Sequence, residues 1–163
     1  MKKTALYVGL FLLTACGSGG GKTAIDTGDV KGSIEAPGAE MKQGTLHTNE
    51  ATYQQAIFEY GDHEIRICPT PKTFEELTAE LEESNDSFNV EMSEVDKGAD
   101  YIFYREKENF AGKQREGYRF LIYKKGKSKN YVLKGGGDML GAIPTKDKAE
   151  NAFKAAKTFE PAD

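Results

Sequence analysis

The stretch that decides the fold is residues 54–83, QQAIFEYGDHEIRICPTPKTFEELTAELEE. Its first half holds two apolar-rich runs, 54–59 and 64–68, on either side of the turn sequence YGDH. Strand-like runs separated by a short turn predict a β-hairpin. In the second run Ile65 and Ile67 fall on one face, because successive side chains of a strand point to opposite sides. The hairpin is therefore expected to bury that face.

The second half of the stretch predicts a helix over residues 74–83. Pro69 and Pro71 end the preceding strand, since proline has no backbone N–H to donate to a neighbouring strand. Thr73 followed by Glu76 matches a capping box, in which the two residues satisfy N–H groups at the start of a helix. Apolar side chains then recur on one side at helical spacing: Phe74, Leu77 and Leu81.

The following residues predict four more strands and one more helix. A loop is expected at residues 84–87, directly after the first helix. The strands alternate apolar and polar side chains or form short apolar runs between turn residues, at 88–92, 101–107, 118–124 and 130–134. The glycines at 135–137 are expected to begin a loop that crosses to the last helix. That helix begins after Thr145 and carries alanines along one face.

This order of elements, ββαββββα, predicts an α+β fold. Consecutive strands joined by short turns pair antiparallel, so we expect an antiparallel sheet of about six strands packed with two helices that cover its apolar face. We assign these elements to a single domain, residues 51–163. The order resembles that of the Mog1/PsbP-like domains, which some bacterial lipoproteins carry.

The segment before this domain has a different composition. No aromatic residue occurs between Phe11 and Tyr53, and residues 17–49 hold 8 of the 18 glycines. Such a segment buries too little apolar surface to offset the entropy lost on ordering. We therefore predict a flexible tether over residues 16–50.

The amino terminus resembles the signal sequence of a bacterial lipoprotein. Two lysines precede an uncharged apolar run, residues 5–13, which is about half the ~20 residues that a membrane-spanning helix needs. The run ends in LTAC, residues 13–16, which resembles the lipobox of these proteins. The resemblance implies that residues 1–15 are removed as a signal peptide and that Cys16 is lipidated with palmitate-type chains. Two or three acyl chains hold a protein stably on a membrane.

The same resemblance gives a location. A lipoprotein of this kind is held on the extracytoplasmic face of a membrane, in the cell envelope. The residue after Cys16 is Gly17 rather than aspartate. By resemblance to enterobacterial sorting, this favours the outer over the inner membrane where the host has both.

Charge and hydropathy exclude two classes of protein. Charged residues make up 29% of the chain and the mean hydropathy is -0.60, which excludes an integral membrane protein. The net charge is -4 and becomes -6 without residues 1–15, because that segment contains two lysines and no acidic residue. An acidic excess argues against nucleic acid as a partner, since phosphate recognition needs a basic surface.

The sequence offers few catalytic or metal-binding groups. Of the two histidines, His47 lies in the predicted tether and His63 in the hairpin turn. Cys68 is expected to be a small buried apolar residue, with an intermolecular disulfide or a redox role as the alternatives. His63 and Cys68 supply only two metal ligands. We therefore predict no enzyme, no metal site and no cofactor.

A lysine-rich turn is the candidate binding surface. The predicted hairpin formed by 118–124 and 130–134 has a basic tip with tyrosines beside it: Lys124, Lys125, Lys127, Lys129, Tyr123 and Tyr131. Aromatic side chains beside lysines suit a partly hydrated interface, so anionic lipid, cell-wall polymer or an acidic envelope protein are the expected partners. The alternative is a solvated surface that keeps the sheet end soluble.

The glycines at 135–137, followed by Asp138, have two interpretations as well. They form either an anion cradle or mobile lid, or a loop that lets the chain cross to the last helix.

Taken from sequence, the chain is a membrane-anchored envelope lipoprotein with a non-catalytic binding or accessory domain. Two alternatives stay open, an enzyme that acts on an envelope substrate and a spacer without a specific ligand. A deep pocket with convergent polar groups would favour the enzyme, and a smooth convex domain whose charged surfaces tolerate reversal would favour the spacer.

Overall fold

The computed structural model describes residues 21–48, 51–110, 112–137 and 143–162. Within these residues the chain forms β1 (Thr23–Asp26), β2 (Lys31–Ile34), β3 (Glu40–His47), β4 (Thr52–Glu59), β5 (His63–Thr70), α1 (Phe74–Ser87), β6 (Glu91–Lys97), β7 (Tyr101–Phe110), β8 (Lys113–Lys125), β9 (Asn130–Gly137), α2 (Lys146–Lys157) and β10 (Glu160–Pro161). The predicted signal peptide (1–15), Cys16 and Asp138 lie outside the described residues.

The strands form two antiparallel sheets. The larger has seven strands in the order β3-β4-β5-β9-β8-β7-β6, and the smaller has three in the order β1-β2-β10. The prediction of an α+β fold is confirmed. From β4 to α2 the element order is the predicted ββαββββα, and β1, β2, β3 and β10 are additional strands.

The prediction of a flexible tether is wrong for the part of it that the structure describes. β3 pairs with β4 along its whole length, from Glu40 opposite Glu59 to His47 opposite Thr52. β1, β2 and the turn between them contribute Ile25, Ile34 and Val30 to the main core. A few well-placed aliphatic side chains and a shared hydrogen-bond ladder are enough to order a segment whose average composition is that of a linker. The ordered domain therefore begins before residue 51.

The larger sheet has one face packed against α2. Phe153 of α2 stacks on Phe103, with ring centroids 5.2 Å apart, and lies 5.4 Å from Phe120. Leu133 and Ile67 complete the centre of this core. Full burial of such a side chain contributes about 1.5–3 kcal/mol, and this face buries the larger of the two apolar clusters.

The opposite face is only partly covered. The capping box predicted at Thr73 is present, and α1 packs Phe74 and Leu77 on Cys68, Leu121 and Val132. These residues lie toward one end of the sheet. Beyond them the same face carries charged side chains.

Two local predictions are corrected on this face. Residues 84–87, expected to be a loop, are the last turn of α1, and β6 begins at Glu91 rather than at 88. Helix continues because Phe88 N–H still bonds to the carbonyl of Ser84.

The glycines at 135–137 belong to β9 and do not begin the crossing loop. Gly135 pairs with Ile65 on one side and Phe120 on the other. A Cβ on Gly135 would lie 2.0 Å from the Phe120 ring. Glycine is therefore present because the packed ring leaves no room for a side chain.

No helix among the residues described is both long enough and apolar enough to cross a membrane.

Candidate functional site

The uncovered part of the α1 face forms an open cleft of about 640 Å³. Its floor comes from β5, β7, β8 and β9, and one wall comes from the end of α1 and the residues that follow it. Charged side chains dominate the floor: Glu64, Arg66, Glu106, Glu108, Arg115, Arg119 and Lys134.

Strand alternation puts these charges on one face. In β5, Ile65 and Ile67 point into the core with α2, so Glu64 and Arg66 point to the other face. In β8, Arg119 alternates with the buried Phe120 in the same way. The alternating pattern that buries apolar side chains on one face of the sheet therefore also places the charged side chains together on the opposite face.

Each carboxylate on the floor is paired with an arginine. Arg66 Nε contacts Glu64, and Arg119 Nε contacts Glu106. These two acids are largely buried, with 9% and 6% of their surfaces exposed. Taking a carboxylate out of water is unfavourable unless a cation and hydrogen bonds replace the water. The arginines supply both, and the pairing holds their guanidinium groups along the floor.

A third pair extends this row toward the end of the sheet. Arg115 Nη2 lies 2.5 Å from Glu108 Oε1. The floor thus carries four basic groups against three acidic ones, counting Lys134. The cleft has a net positive charge although the whole chain is acidic.

Two of the basic groups are directly opposite each other. Arg66 of β5 and Lys134 of β9 are cross-strand partners in the antiparallel register. Like charges at such positions repel each other and destabilise a sheet. Arg66 forms an ion pair with Glu64, whereas Lys134 has no carboxylate partner within the ranges that the structure describes. An anion placed between the two side chains would relieve this repulsion.

Glycine shapes the centre of the floor. A Cβ on Gly136 would lie 2.5 Å from Nη1 of Arg119, so the guanidinium group lies directly on the backbone of β9. Gly136 and Gly137 both line the cleft. The sequence interpretation of these glycines as part of an anion cradle stays a prediction, but the structure places them in a strand beneath an arginine.

The wall of the cleft is mostly apolar, although Asn85 of α1 also lines it. Leu81, Phe88, Val90 and Ile143 line it, and Phe88 is 77% exposed. Tyr104 lies below, almost fully buried. Burial, and then the charge of Glu106, raise the pKa of the Tyr104 hydroxyl, so it stays protonated at neutral pH. A ligand in the cleft would meet charges on one side and a hydrophobic surface on the other.

The predicted basic tip is only partly an available surface. Lys125, Lys127 and Lys129 are exposed in the turn between β8 and β9, whereas Tyr131 has no exposed surface. The ring of Tyr131 packs on Phe159 in the core with α2. The prediction that Tyr131 contributes to a binding surface is therefore wrong.

The other predicted tip residues have internal contacts. Tyr123 is partly buried against the cluster that α1 covers. Lys124 Nζ donates to the carbonyl of Lys157, 3.2 Å away, and Lys129 Nζ lies 3.4 Å from Asp29 Oδ1. The tip is thus fixed against the end of α2 and against the turn between β1 and β2.

The remaining candidates are outside the cleft. Cys68 is buried, as expected, and donates to Gln55 Oε1 at 3.2 Å. Burial raises the pKa of the Cys68 thiol to about 11, so the thiolate, which is the reactive form, is scarce. His63 stacks on Tyr60, and its Nδ1 lies 2.9 Å from Asp62. In the described ranges no three His, Cys, Asp or Glu side chains are grouped for a metal.

Sequence reasoning missed the cleft because charged positions in alternating strands look the same whether they face solvent or each other. The cleft could have been found from the pairing of opposite charges on neighbouring strands. Recognising that pairing requires the strand order. That order places β9 between β5 and β8, and it cannot be read from any one segment.

The sequence matches no protein-family model. It matches no curated protein either. Among solved structures, the crystal structure of LpqN, involved in cell envelope biogenesis of Mycobacterium tuberculosis, aligns with 85% of this chain and 86% of its own. The TM-score is 0.38 and the sequence identity 12%. A similarity of this size carries no argument about function, which is therefore derived from the residues themselves.

Proposed function

We propose that the chain is a membrane-anchored envelope lipoprotein whose domain binds an anionic ligand, without catalysis, in the cleft on the α1 face. The anchor follows from the lipobox-like LTAC sequence at residues 13–16. The binding role follows from the cleft. The lipid on Cys16 would hold the domain on the extracytoplasmic face of the membrane, where an envelope protein, lipid or polymer is within reach.

The observation that carries the binding role is the direct opposition of Arg66 and Lys134 on the floor of the cleft. Local interactions that disfavour the folded state are commonly found at functional sites. Here the disfavoured element is a pair of like charges, and a ligand carboxylate, phosphate or sulfate would turn their repulsion into attraction. Guanidinium groups suit such anions because their donors match the spacing of two oxygens.

The apolar wall extends this description of the ligand. The exposed Phe88 ring faces solvent at the edge of a cleft whose floor is charged. A ligand with an anionic group next to an apolar part would contact both surfaces. Exposed apolar side chains in a groove that also carries polar groups are typical of ligand and partner sites.

Binding is favoured over catalysis because the acidic groups in the cleft are already paired. A general acid or base needs a proton that it can exchange with a substrate. Glu64 and Glu106 instead contact Arg66 and Arg119, and each is buried in that contact. An enzyme stays the alternative, and turnover of an envelope substrate by this cleft would establish it. A spacer would need no charged cleft.

The binding role is tested by the ligand that copurifies with the protein. The full chain is extracted from host membranes in mild detergent and examined by native mass spectrometry, together with a K134Q variant and a K146Q control. Lys146 is an exposed lysine of α2, on the other side of the sheet. We expect an anionic adduct on the wild type and on K146Q that is absent or several-fold weaker on K134Q. Equal adducts on all three proteins, or none on any, would contradict the cleft as a binding site.

A further inference from the structure

The chain enters the folded domain at the same end as the lysine-rich turn. Lys22, which precedes β1, forms an ion pair with Glu160 of β10 at 2.6 Å. Glu160 follows the end of α2, whose Lys157 carbonyl accepts a hydrogen bond from Lys124. A short series of contacts therefore connects the entry point of the chain to the turn between β8 and β9.

Lys22 is only six positions after Cys16, with five residues between them. An extended chain covers at most about 3.3–3.6 Å per residue, so this segment spans no more than about 22 Å. The ordered β1 to β3 region removes the long tether that composition suggested. A domain on so short a connection lies close to the membrane surface, with the entry end toward it.

That end of the domain carries a concentration of exposed lysines: Lys125, Lys127 and Lys129 in the turn, and Lys154 and Lys157 in the last turns of α2. Residues 124–129, KKGKSK, contain no acid. Asp29 and Glu160, two of the acids near this end, lie in ion pairs with Lys129 and Lys22. The turn itself is therefore basic although the chain as a whole is acidic.

We propose that this lysine-rich end, defined as residues 124–129 and the last turns of α2, lies against the membrane and binds anionic lipid headgroups. The inference rests on the lipid anchor of the proposed function. Lysines close to an anionic leaflet are attracted to it over a distance of about 8–10 Å, the screening length at physiological salt. The short connection keeps the lysines near the leaflet, so the contact forms without a long diffusive search.

This arrangement also orients the cleft. Arg119 and Lys125 are six residues apart on β8, which corresponds to about 20 Å along a strand. Glu108 and Arg115 are further still from the turn. With the lysine-rich end on the membrane, the cleft is held away from the headgroups and stays accessible to a partner in the envelope.

The first experiment measures headgroup binding without the anchor. The mature chain, residues 16–163 with Cys16→Ser, is sedimented with vesicles of phosphatidylcholine alone or with phosphatidylglycerol added. The variants are K125E/K127E and the control K113E/K146E, which changes net charge equally but alters exposed lysines at the far end of the domain. Circular dichroism confirms that both variants fold.

We expect the wild type to bind the anionic vesicles, with binding that decreases as salt rises. K125E/K127E should bind roughly five-fold or more weakly than wild type, and K113E/K146E should bind within about two-fold of it. The reason is that only lysines close to the membrane surface are attracted to the headgroups. Equal losses in both variants would mean that net charge alone acts, and would overturn the proposal. So would equal binding by all proteins.

The second experiment separates the orientation from the anchor. In the lipidated chain on anionic vesicles, a fluorophore is placed on S128C in the lysine-rich turn or on S87C at the end of α1, and energy transfer to headgroup-labelled lipid is measured. Cys68 is buried and is not labelled in the folded protein. Transfer should be markedly greater from position 128. Comparable transfer from both positions on a lipidated protein would reject the orientation alone, whereas failure of lipidation itself would reject the anchor.

Discussion

Gly136 and Arg119 lie so close that a Cβ on the glycine would be 2.5 Å from Nη1 of the arginine. The guanidinium group therefore lies on the backbone of β9, where its Nε contacts Glu106. The neighbouring Gly135 faces the other side of the same strand and contacts the Phe120 ring. Two adjacent glycines thus serve different parts of the molecule, one the charged cleft and the other the core.

These two glycines give the first prediction. G135A should destabilise the protein by about 1–3 kcal/mol, because the added methyl group would lie 2.0 Å from the buried ring of Phe120 and overpack it. G136A should cost clearly less, because the atom it meets is the end of a long side chain that can move. The measurement is the free energy of unfolding from urea titrations of both variants.

The same pair separates stability from function. G136A should shift Arg119 and weaken ligand binding in the cleft, while G135A affects mainly stability. If G136A proves as destabilising as G135A, Arg119 is more rigidly held than its position at the cleft implies.

The second prediction concerns the segment that composition describes as a linker. Ile34 of β2 has no exposed surface, so I34A should lower the free energy of unfolding by about 2–5 kcal/mol, as for other buried aliphatic residues. Val95 on the edge strand β6 is 43% exposed, and V95A is the matched control with an expected loss below about 1 kcal/mol. A negligible effect of I34A would show that β1 and β2 do not belong to the folded unit in solution.

The third prediction tests the anchor. C16A should abolish incorporation of a palmitate analogue in the host and leave the chain either uncut or released from membranes. The reason is that the cysteine thiol is the group that accepts the lipid in lipoproteins that the LTAC sequence resembles. C68A is the control, since that thiol is buried and should not change labelling. Undiminished label on C16A would reject lipidation at this position.

The fourth prediction follows from the environment of Cys68. Its pKa is raised to about 11 and the thiol is buried, so at pH 8 it should react with a disulfide reagent at least about 100-fold more slowly than a free thiol. Reaction should become rapid in guanidinium chloride. The exposed S128C variant provides a positive control for reactivity in the folded state.

The same shift predicts the direction of a pH effect. Because the folded pKa lies above the unfolded value, the stability that the neutral thiol contributes is complete below about pH 9. It is lost as the pH rises from there toward about 11. C68A should therefore lose less stability than wild type between pH 8 and pH 10.5. Parallel losses in the two proteins would contradict a buried neutral thiol.

Local patterns in the sequence determined most of the central elements. The alternation around Ile65, the capping box at Thr73 and the alanine face of α2 are set by residues within one or two turns of each other, and the structure has all three. The order ββαββββα followed from them, as did the α+β class. The burial of Cys68 was also expected for a small apolar residue at the end of a strand, but only the structure shows that α1 covers the face on which it lies.

Only the tertiary structure decided which distant segments meet. The strands β1 to β3 have few apolar residues, and they are ordered because β4, α2 and β10 supply the ladder and the core that they lack. The cleft exists because β9 lies between β5 and β8, which brings Lys134 opposite Arg66 and places Arg119 over Gly136. Side-chain periodicity depends on neighbours in the chain and can be read from sequence. Strand order depends on the total free energy of packing all the elements together, and no single segment contains it.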